Sequence, residues 1–366
     1  MNSHSPKLWP RAAGLGALLL ATLCGPRWLS QVAAQSTTSI EPGPKPKDIP
    51  NRWKPWIGEY DGGPPSAPLT WVYVVAERDG YIEFSKRITS STGVRYVQDE
   101  RFRIRGSSPE VHGLRSNEHG ERGMDFGDMF EAKITPDFNA RAQVVIHPAR
   151  PVADLRNETL AASPPQEEGS FRKPELVELA SLDSAIHLDI RYATTNDFLG
   201  TAVYTQARAF LQRPAAEALV RALHKLQPLG YGLLIHDAYR PWYVTKIFWD
   251  ATPPEGKIFV ADPSQGSRHN RGCAVDLTLY DLATGKPIEM PGTYDEMSPR
   301  SFPDYPGGTS LQRWHRDLLR RAMESEGFTV YEHEWWHFDY KDWHEYPILN
   351  IKFEDLGASQ GLATTN

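Results

Sequence analysis

Residues 327–340, GFTVYEHEWWHFDY, constrain this chain most, because they hold a metal-type motif in a stretch that cannot be a helix. The letters from His333 to His337 read HEWWH, the spacing of the helical HExxH zinc site. That site works because residues four apart share one helix face. Here Gly327 stops the preceding helix, and the residues after it are dominated by Phe, Thr, Val, Tyr and Trp, types that favour strands. A third helical ligand is also missing. The extended motif wants Gly at 340 and His at 343, and the chain has Tyr340 and Trp343. The other form needs a later helix carrying a Glu, and only 29 of the 366 residues come after His337. The usable unit is therefore EWWH, with His337 as one metal ligand and Glu334 as a carboxylate free to act as a base. On a regular strand, residues three apart point to opposite faces, so the pair needs a twist, bulge or turn between them.

Further ligands must come from elsewhere, and SRHNRGCAVDLTLYD (267–281) supplies His269 and Asp276. They are separated by Gly272 and small or apolar residues, and VDLTLY reads as a strand leaving that loop. A His seven residues from an Asp is ordinarily structural. Joined to the Gly272 loop and EWWH, it completes a set of two imidazoles and one carboxylate: His269, Asp276 and His337. Three protein ligands with a fourth position left for water is the arrangement of catalytic zinc.

The start of the chain behaves differently. Lys7 and Arg11 precede the apolar run AAGLGALLLATLCG, and QVAAQ offers small residues for cleavage. Residues 1–34 are thus expected to be a signal peptide, too short in its apolar run for a comfortable membrane span, with an uncleaved anchor as the alternative. The expected location is exported, periplasmic or secreted, with no transmembrane segment in the mature chain. Cleavage would remove Lys7, Arg11 and Arg27 and no acid, taking the formal charge from −6 to −9. An acidic chain without a basic run argues against nucleic acid. It would also remove Cys24 and leave Cys273 alone, so no internal disulfide is expected.

Residues 35–50 are Pro-rich and read as a linker. Residues 51–147 carry aromatic and β-branched runs, with Asp79-Gly80 as a hairpin turn, and read as a small antiparallel β domain. Within it His112, Glu118, His119 and Asp125 have no metal-ligand spacing. An accessory or binding role is the default for this domain, with peptidoglycan as the candidate partner. Residues 148–170 read as a second linker, 171–356 as the catalytic domain and 357–366 as a flexible tail. In the catalytic domain RPAAEALVRALHKLQPLG is a helix with Pro214 in its first turn, and SLQRWHRDLLRRAMESEG is another with Ser310 as its N-cap. Helices mixed with strands and closing in a hairpin predict an α+β fold.

Together, IRYATTNDFLG, DAYRPW, SRHNRGCAVDLTLYD, GTYDEMS and EWWHF resemble, in this order, the zinc D-alanyl-D-alanine dipeptidases of the vancomycin-resistance type. The resemblance spans roughly residues 175–352 and none of the β domain. The wider superfamily includes D,D-carboxypeptidases, murein endopeptidases and the hedgehog signalling domain, and the two tryptophans of EWWH point to the dipeptidase branch. The resemblance implies one Zn2+ on His269, Asp276 and His337, with Glu334 as catalytic base. It implies Arg240 as oxyanion stabiliser, Asp295 and Tyr192 at the ammonium end of a small D,D-dipeptide, and Ser267 near its carboxyl end.

Plainer readings stand beside these. Arg240 can form a structural ion pair with Asp237, Asp295 can cap a turn, Tyr192 can simply pack, and Trp335 and Trp336 can be core or cleft wall. Cys273 sits where a small residue is needed. The stretch between YRP and His269 is shorter than in the family, which implies a more open cleft. The expected function is hydrolysis of D-alanyl-D-alanine in peptidoglycan turnover. The alternatives are a D,D-carboxypeptidase acting on stem peptides and a zinc-stabilised cell-wall binding module.

Overall fold

A computed structural model describes residues 39–62, 70–90, 93–98, 104–105, 114–125, 130–134 and 145–357. The expected signal segment, His112 and the tail after Gly357 lie outside these residues. From Ile40 onward the chain forms one unit built around two hydrophobic cores.

The smaller core belongs to the β region. Strands β1 (Gly58–Asp61), β2 (Thr70–Arg78), β3 (Tyr81–Ser90) and β4 (Gly93–Gln98) pair antiparallel in that order, and β5 (Ile104–Arg105) also pairs with β3. A three-stranded antiparallel sheet comes next, β6 (Leu114–Ser116), β7 (Arg122–Asp125) and β8 (Phe130–Ala132). Trp53, Trp56, Tyr60, Val75, Ile82 and Phe84 are buried in this core together with Leu114 of β6 and Met124 of β7. The hairpin expected at Asp79-Gly80 is present: both residues have positive φ, 49° and 80°, as a two-residue turn requires to match strand twist.

Two segments that read as linkers in the sequence are ordered parts of the larger core. Within 148–170, α1 (Val152–Ala161) turns Val152, Leu155 and Thr159 inward, and Arg156 donates to the Ala202 carbonyl. Its Pro-rich flanks hide a short i, i+3, i+7 face. Within 35–50, Ile40 packs against the larger core and the Gly43 carbonyl accepts from Trp314 Nε1 at 2.9 Å.

The larger core is α+β. A short antiparallel pair joins β9 (Leu176–Glu178) to a later strand, β11 (Phe210–Gln212). The main sheet runs β10 (Ile186–Leu188), β12 (Tyr231–Asp237), β13 (Ala274–Asp281), β15 (Glu334–Tyr340), β14 (Phe328–Tyr331). Only β10–β12 is parallel within it. Strand β12 is buried along its whole length, as its apolar run implies. Gly232 of β12 lies opposite Tyr280, whose ring would sit 2.2 Å from any added Cβ. The helices α2 (Arg213–Leu226), α3 (Trp242–Ala251) and α4 (Ser310–Glu324) cover the sheet. The N-cap of α4 is Thr309 rather than Ser310. The Thr309 hydroxyl accepts from the Gln312 amide and the Gln312 side-chain oxygen accepts from the Thr309 amide, a capping box that Ser310 could not form with Arg313. No helix among the described residues is long and apolar enough to cross a membrane.

Candidate active site

Adjacent strands place the acids and the imidazole side by side. Asp276 on β13 pairs with Asp237 on β12 and with His337 on β15. A bulge at His236 advances Asp237 into that row. His269 arrives from a single 3-10 turn, His269–Arg271, closed by Gly272 at φ +67°. A Cβ on Gly272 would lie 2.6 Å from Leu176, so glycine is needed both for conformation and for space. The chain then enters β13 through Cys273, whose thiol burial pushes up to about 12; this keeps it protonated and inert.

His269, Asp276 and His337 each offer one atom to a cluster within 4.8 Å, all three residues buried. His269 Nδ1 stands 2.6 Å from the Ala238 carbonyl, so it carries the proton and leaves Nε2 as a lone pair facing inward. His337 has the opposite tautomer: Nε2 lies 2.9 Å from Asp339 Oδ1, which frees Nδ1. Asp276 Oδ1 is the third acceptor, buried and without a donor. The separations are 3.1 Å between the two nitrogens, 3.0 Å from His337 Nδ1 to Asp276 Oδ1, and 3.4 Å from His269 Nε2 to the same oxygen. Three acceptors this close repel one another unless a cation lies among them. The donor set and the acceptors bound behind each imidazole fit a divalent transition metal.

Glu334 reaches the same place through an irregular hairpin. Val330 pairs with Phe338, but the next residue, Tyr331, pairs with Glu334. One step along β14 therefore matches four along β15, and this local bulge brings Glu334 Oε2 to 3.8 Å from His337 Nδ1. Burial, opposed by His337 and reinforced by Asp276, pushes Glu334 up to about 7, which suits a group that takes and returns a proton near neutrality.

Arg240 makes the ion pair with Asp237. Its Nε and Nη2 donate to Asp237 Oδ2 at 2.9 and 2.7 Å, while Tyr204 donates to Asp237 Oδ1 at 2.7 Å. The guanidinium still lines the cleft, over the rings of Tyr192 and Phe248 and 3.9 Å from Asp276 Oδ2. Asp295 also lines it, at φ +56°, a strained conformation for a non-glycine residue. Its Oδ1 accepts from Tyr192 at 3.2 Å, and its Oδ2 is buried without a partner. Burial above all, then Asp276 and Glu334, push its pKa well above the ordinary carboxylate value. A buried oxygen without a partner costs free energy until a donor reaches it. Ser267 lines the cleft and its Oγ accepts from the His269 amide at 3.2 Å. Trp336 is cleft wall, whereas Trp335 packs only in the core.

The cleft encloses about 500 Å3 and holds every residue expected at the site. Sequence reasoning named Asp237 and missed three others. Asp339 stands two residues after His337, hence on the same strand face, which was a readable signal. Tyr294 donates to Asp276 Oδ2 at 3.2 Å and Asp237 anchors Arg240. Arg268 lies over the rings of Tyr331 and Trp343 with Nε 3.2 Å from Asp339 Oδ2.

Residues 172–355 match the family described as D-ala-D-ala dipeptidase. The chain is 36% identical over 179 residues to a D-alanyl-D-alanine dipeptidase of Escherichia coli, covering 49% of this chain and 91% of that relative. A D-alanyl-D-alanine dipeptidase of Enterococcus faecalis is 35% identical over 196 residues, covering 47% of this chain and 95% of its own length. One from Streptomyces coelicolor is 35% identical over 179 residues, covering 44% and 89%.

Proposed function

The chain belongs to the D-alanyl-D-alanine dipeptidase family, and on that premise we propose that it hydrolyses D-alanyl-D-alanine to two D-alanines with one zinc ion held by His269, Asp276 and His337. The observation that carries the metal site is the trio of buried acceptors facing one another with no donor between them. Bound there, zinc supplies an acidified water and a polarised scissile carbonyl.

The chain's own residues supply the rest. Glu334 takes a proton from the attacking water and returns it to the leaving amine, for which burial has set its affinity near neutrality. Arg240, locked by Asp237, presents a fixed positive charge to the developing oxyanion. Asp295 receives the substrate ammonium on the oxygen that Tyr192 leaves free. Ser267 and Arg268, which line the cleft, read the carboxylate end under this proposal. Among the described residues three arginines line the cleft. Arg240 is tied to Asp237, Arg271 to Glu167 and the Tyr346 carbonyl, and Arg268 to Asp339 alone. The basic and then apolar start of the chain supports an exported enzyme acting on dipeptide released in peptidoglycan turnover.

The test is product analysis with purified protein to which zinc has been restored. Two equivalents of D-alanine per D-alanyl-D-alanine are expected. A zinc-loaded protein that releases none would overturn the assignment.

A further inference from the structure

The family match begins at residue 172, after the β region, so that region adds something the shared enzyme does without. Its contacts point to one place. The tip of the β2–β3 hairpin is seated at the start of α4 and on the loop before it. Ala76 bridges Gly308, and the Glu77 amide donates to the Gly308 carbonyl at 3.0 Å. The Glu77 carboxylate, almost fully buried, accepts from the Ser310 amide at 2.8 Å, in the first turn of α4, where a negative charge is stabilised. Arg313 returns the contact by donating to the Glu77 carbonyl at 2.7 Å and to the Gly307 and Gly308 carbonyls at 3.0 and 2.9 Å. Arg78 donates to the Pro306 carbonyl at 2.8 Å. Tyr305, buried, hydrogen-bonds Glu59 of β1 and meets the Tyr96 ring edge-on.

The inner side of the same loop is the cleft wall that carries Asp295, Glu296, Met297 and Ser301. The loop is cross-braced, so what holds one side holds the other. Arg300 donates twice to the Pro291 carbonyl, at 3.1 and 3.0 Å, and a Cβ on Gly292 would lie 2.6 Å from the Arg300 carbonyl oxygen. Glu296 accepts from the Thr293 amide at 2.9 Å, and Ser301 donates to the Glu296 carbonyl. Between these ties Asp295 keeps a positive φ, a conformation that persists only where its surroundings over-determine it.

We infer that the β domain is a brace for this wall: docked on residues 305–310, it holds Asp295 in place and thereby sets the enzyme's preference for a substrate with a free amino end. The inference rests on the reading of Asp295 as the ammonium receptor. Loosening the brace weakens ground-state binding of the ammonium end and leaves the metal, Glu334 and Arg240 in place, so the cost falls on KM.

The experiment uses the full zinc-loaded chain with Arg78→Ala and Glu77→Gln, two variants of graded severity. Steady-state kinetics on D-alanyl-D-alanine and its N-acetyl derivative are paired with hydrogen–deuterium exchange of residues 291–309. The brace predicts faster exchange in that loop, KM for the free dipeptide raised about tenfold with kcat within about threefold, and a smaller preference over the acetylated form. Zinc content stays at one per chain. Unchanged exchange in both variants, or faster exchange with KM and preference unchanged, overturns the brace. A wild type that cleaves neither substrate defeats the proposed function instead, and exchange still reports on the brace.

Discussion

Glu334 and His337 stand three residues apart on one strand, yet Glu334 Oε2 lies 3.8 Å from His337 Nδ1. A regular strand would put them on opposite faces. The pairing of Tyr331 with Glu334 directly after Val330 with Phe338 removes that obstacle, because three residues of β15 pass without a partner on β14. The irregular hairpin is thus the device that brings Glu334 to His337.

Replacing Glu334 with Gln keeps the shape and removes the proton acceptor. Hydrolysis of D-alanyl-D-alanine is expected to fall by about 10²–10⁴-fold, the usual contribution of a placed general base. Zinc stoichiometry, measured on the same sample by atomic absorption, stays that of the wild type. A variant that loses its zinc would make Glu334 a structural residue.

Metal removal tests the three acceptors. Asp276 Oδ1 and the facing nitrogens of His269 and His337 lie 3.0, 3.1 and 3.4 Å from one another. Activity is expected to vanish on chelation and return with zinc. Because zinc binds the native state, saturating it at about 1,000 times its dissociation constant adds about 4 kcal/mol, read as a higher melting temperature. His269→Ala should remove that zinc-dependent increment, and an increment that survives the substitution would place the metal elsewhere.

Arg268 is the cleft cation with the least engaged guanidinium. Replacing it with Gln is expected to lower kcat/KM for D-alanyl-D-alanine by roughly 10–100-fold, since a hydrogen bond to a charged group contributes about 1.5–3 kcal/mol. The same change should leave the C-terminal amide of the dipeptide almost unaffected. Equal losses on acid and amide would show that Arg268 acts only through Asp339 and His337.

Stability should carry a pH signature from His315, far from the chemistry. This buried imidazole meets the Tyr231 hydroxyl at 2.9 Å, with Lys45, Asp48 and Trp314 around it. Burial first, then Lys45, lower it to about 4, against a pull from Asp48. The native state therefore takes up its proton later than the unfolded chain does. Stability from this group is complete above pH ~6.5 and is lost as pH falls towards 4, by about 3 kcal/mol at most. Urea unfolding of zinc-loaded wild type and His315→Gln across that window should show a steeper acid loss in the wild type. Parallel curves would contradict the assignment.

Much of the site is legible from residue types. Gly327 and the strand formers after it exclude the helical motif, and His269, Asp276 and His337 are the three residues whose atoms converge. Less visible is anything set by register. The hairpin slip at Tyr331–Glu334 and the bulge at His236 leave no mark in composition, because they depend on which strand lies alongside. The segments around Val152–Ala161 and Ile40 mislead for a different reason. Prolines beside them look like linker, while a few apolar residues are enough to seat them on a core already built by other elements. The capping box at Thr309-x-x-Gln312 is readable, since only that register offers a Gln or Glu at the third position.

In the proposed function the cleft recognises a free dipeptide, with Asp295 holding its ammonium group. The most direct measurement compares hydrolysis of D-alanyl-D-alanine with that of N-acetyl-D-alanyl-D-alanine by the zinc-loaded protein, beside Asp295→Ala. Acetylation is expected to slow the wild type by roughly 10²-fold or more, because the buried Asp295 oxygen is then left unpaired, and the variant is expected to lose most of this preference. Equal cleavage of both substrates by the wild type would contradict it, and would make the protein a carboxypeptidase with no ammonium receptor at Asp295.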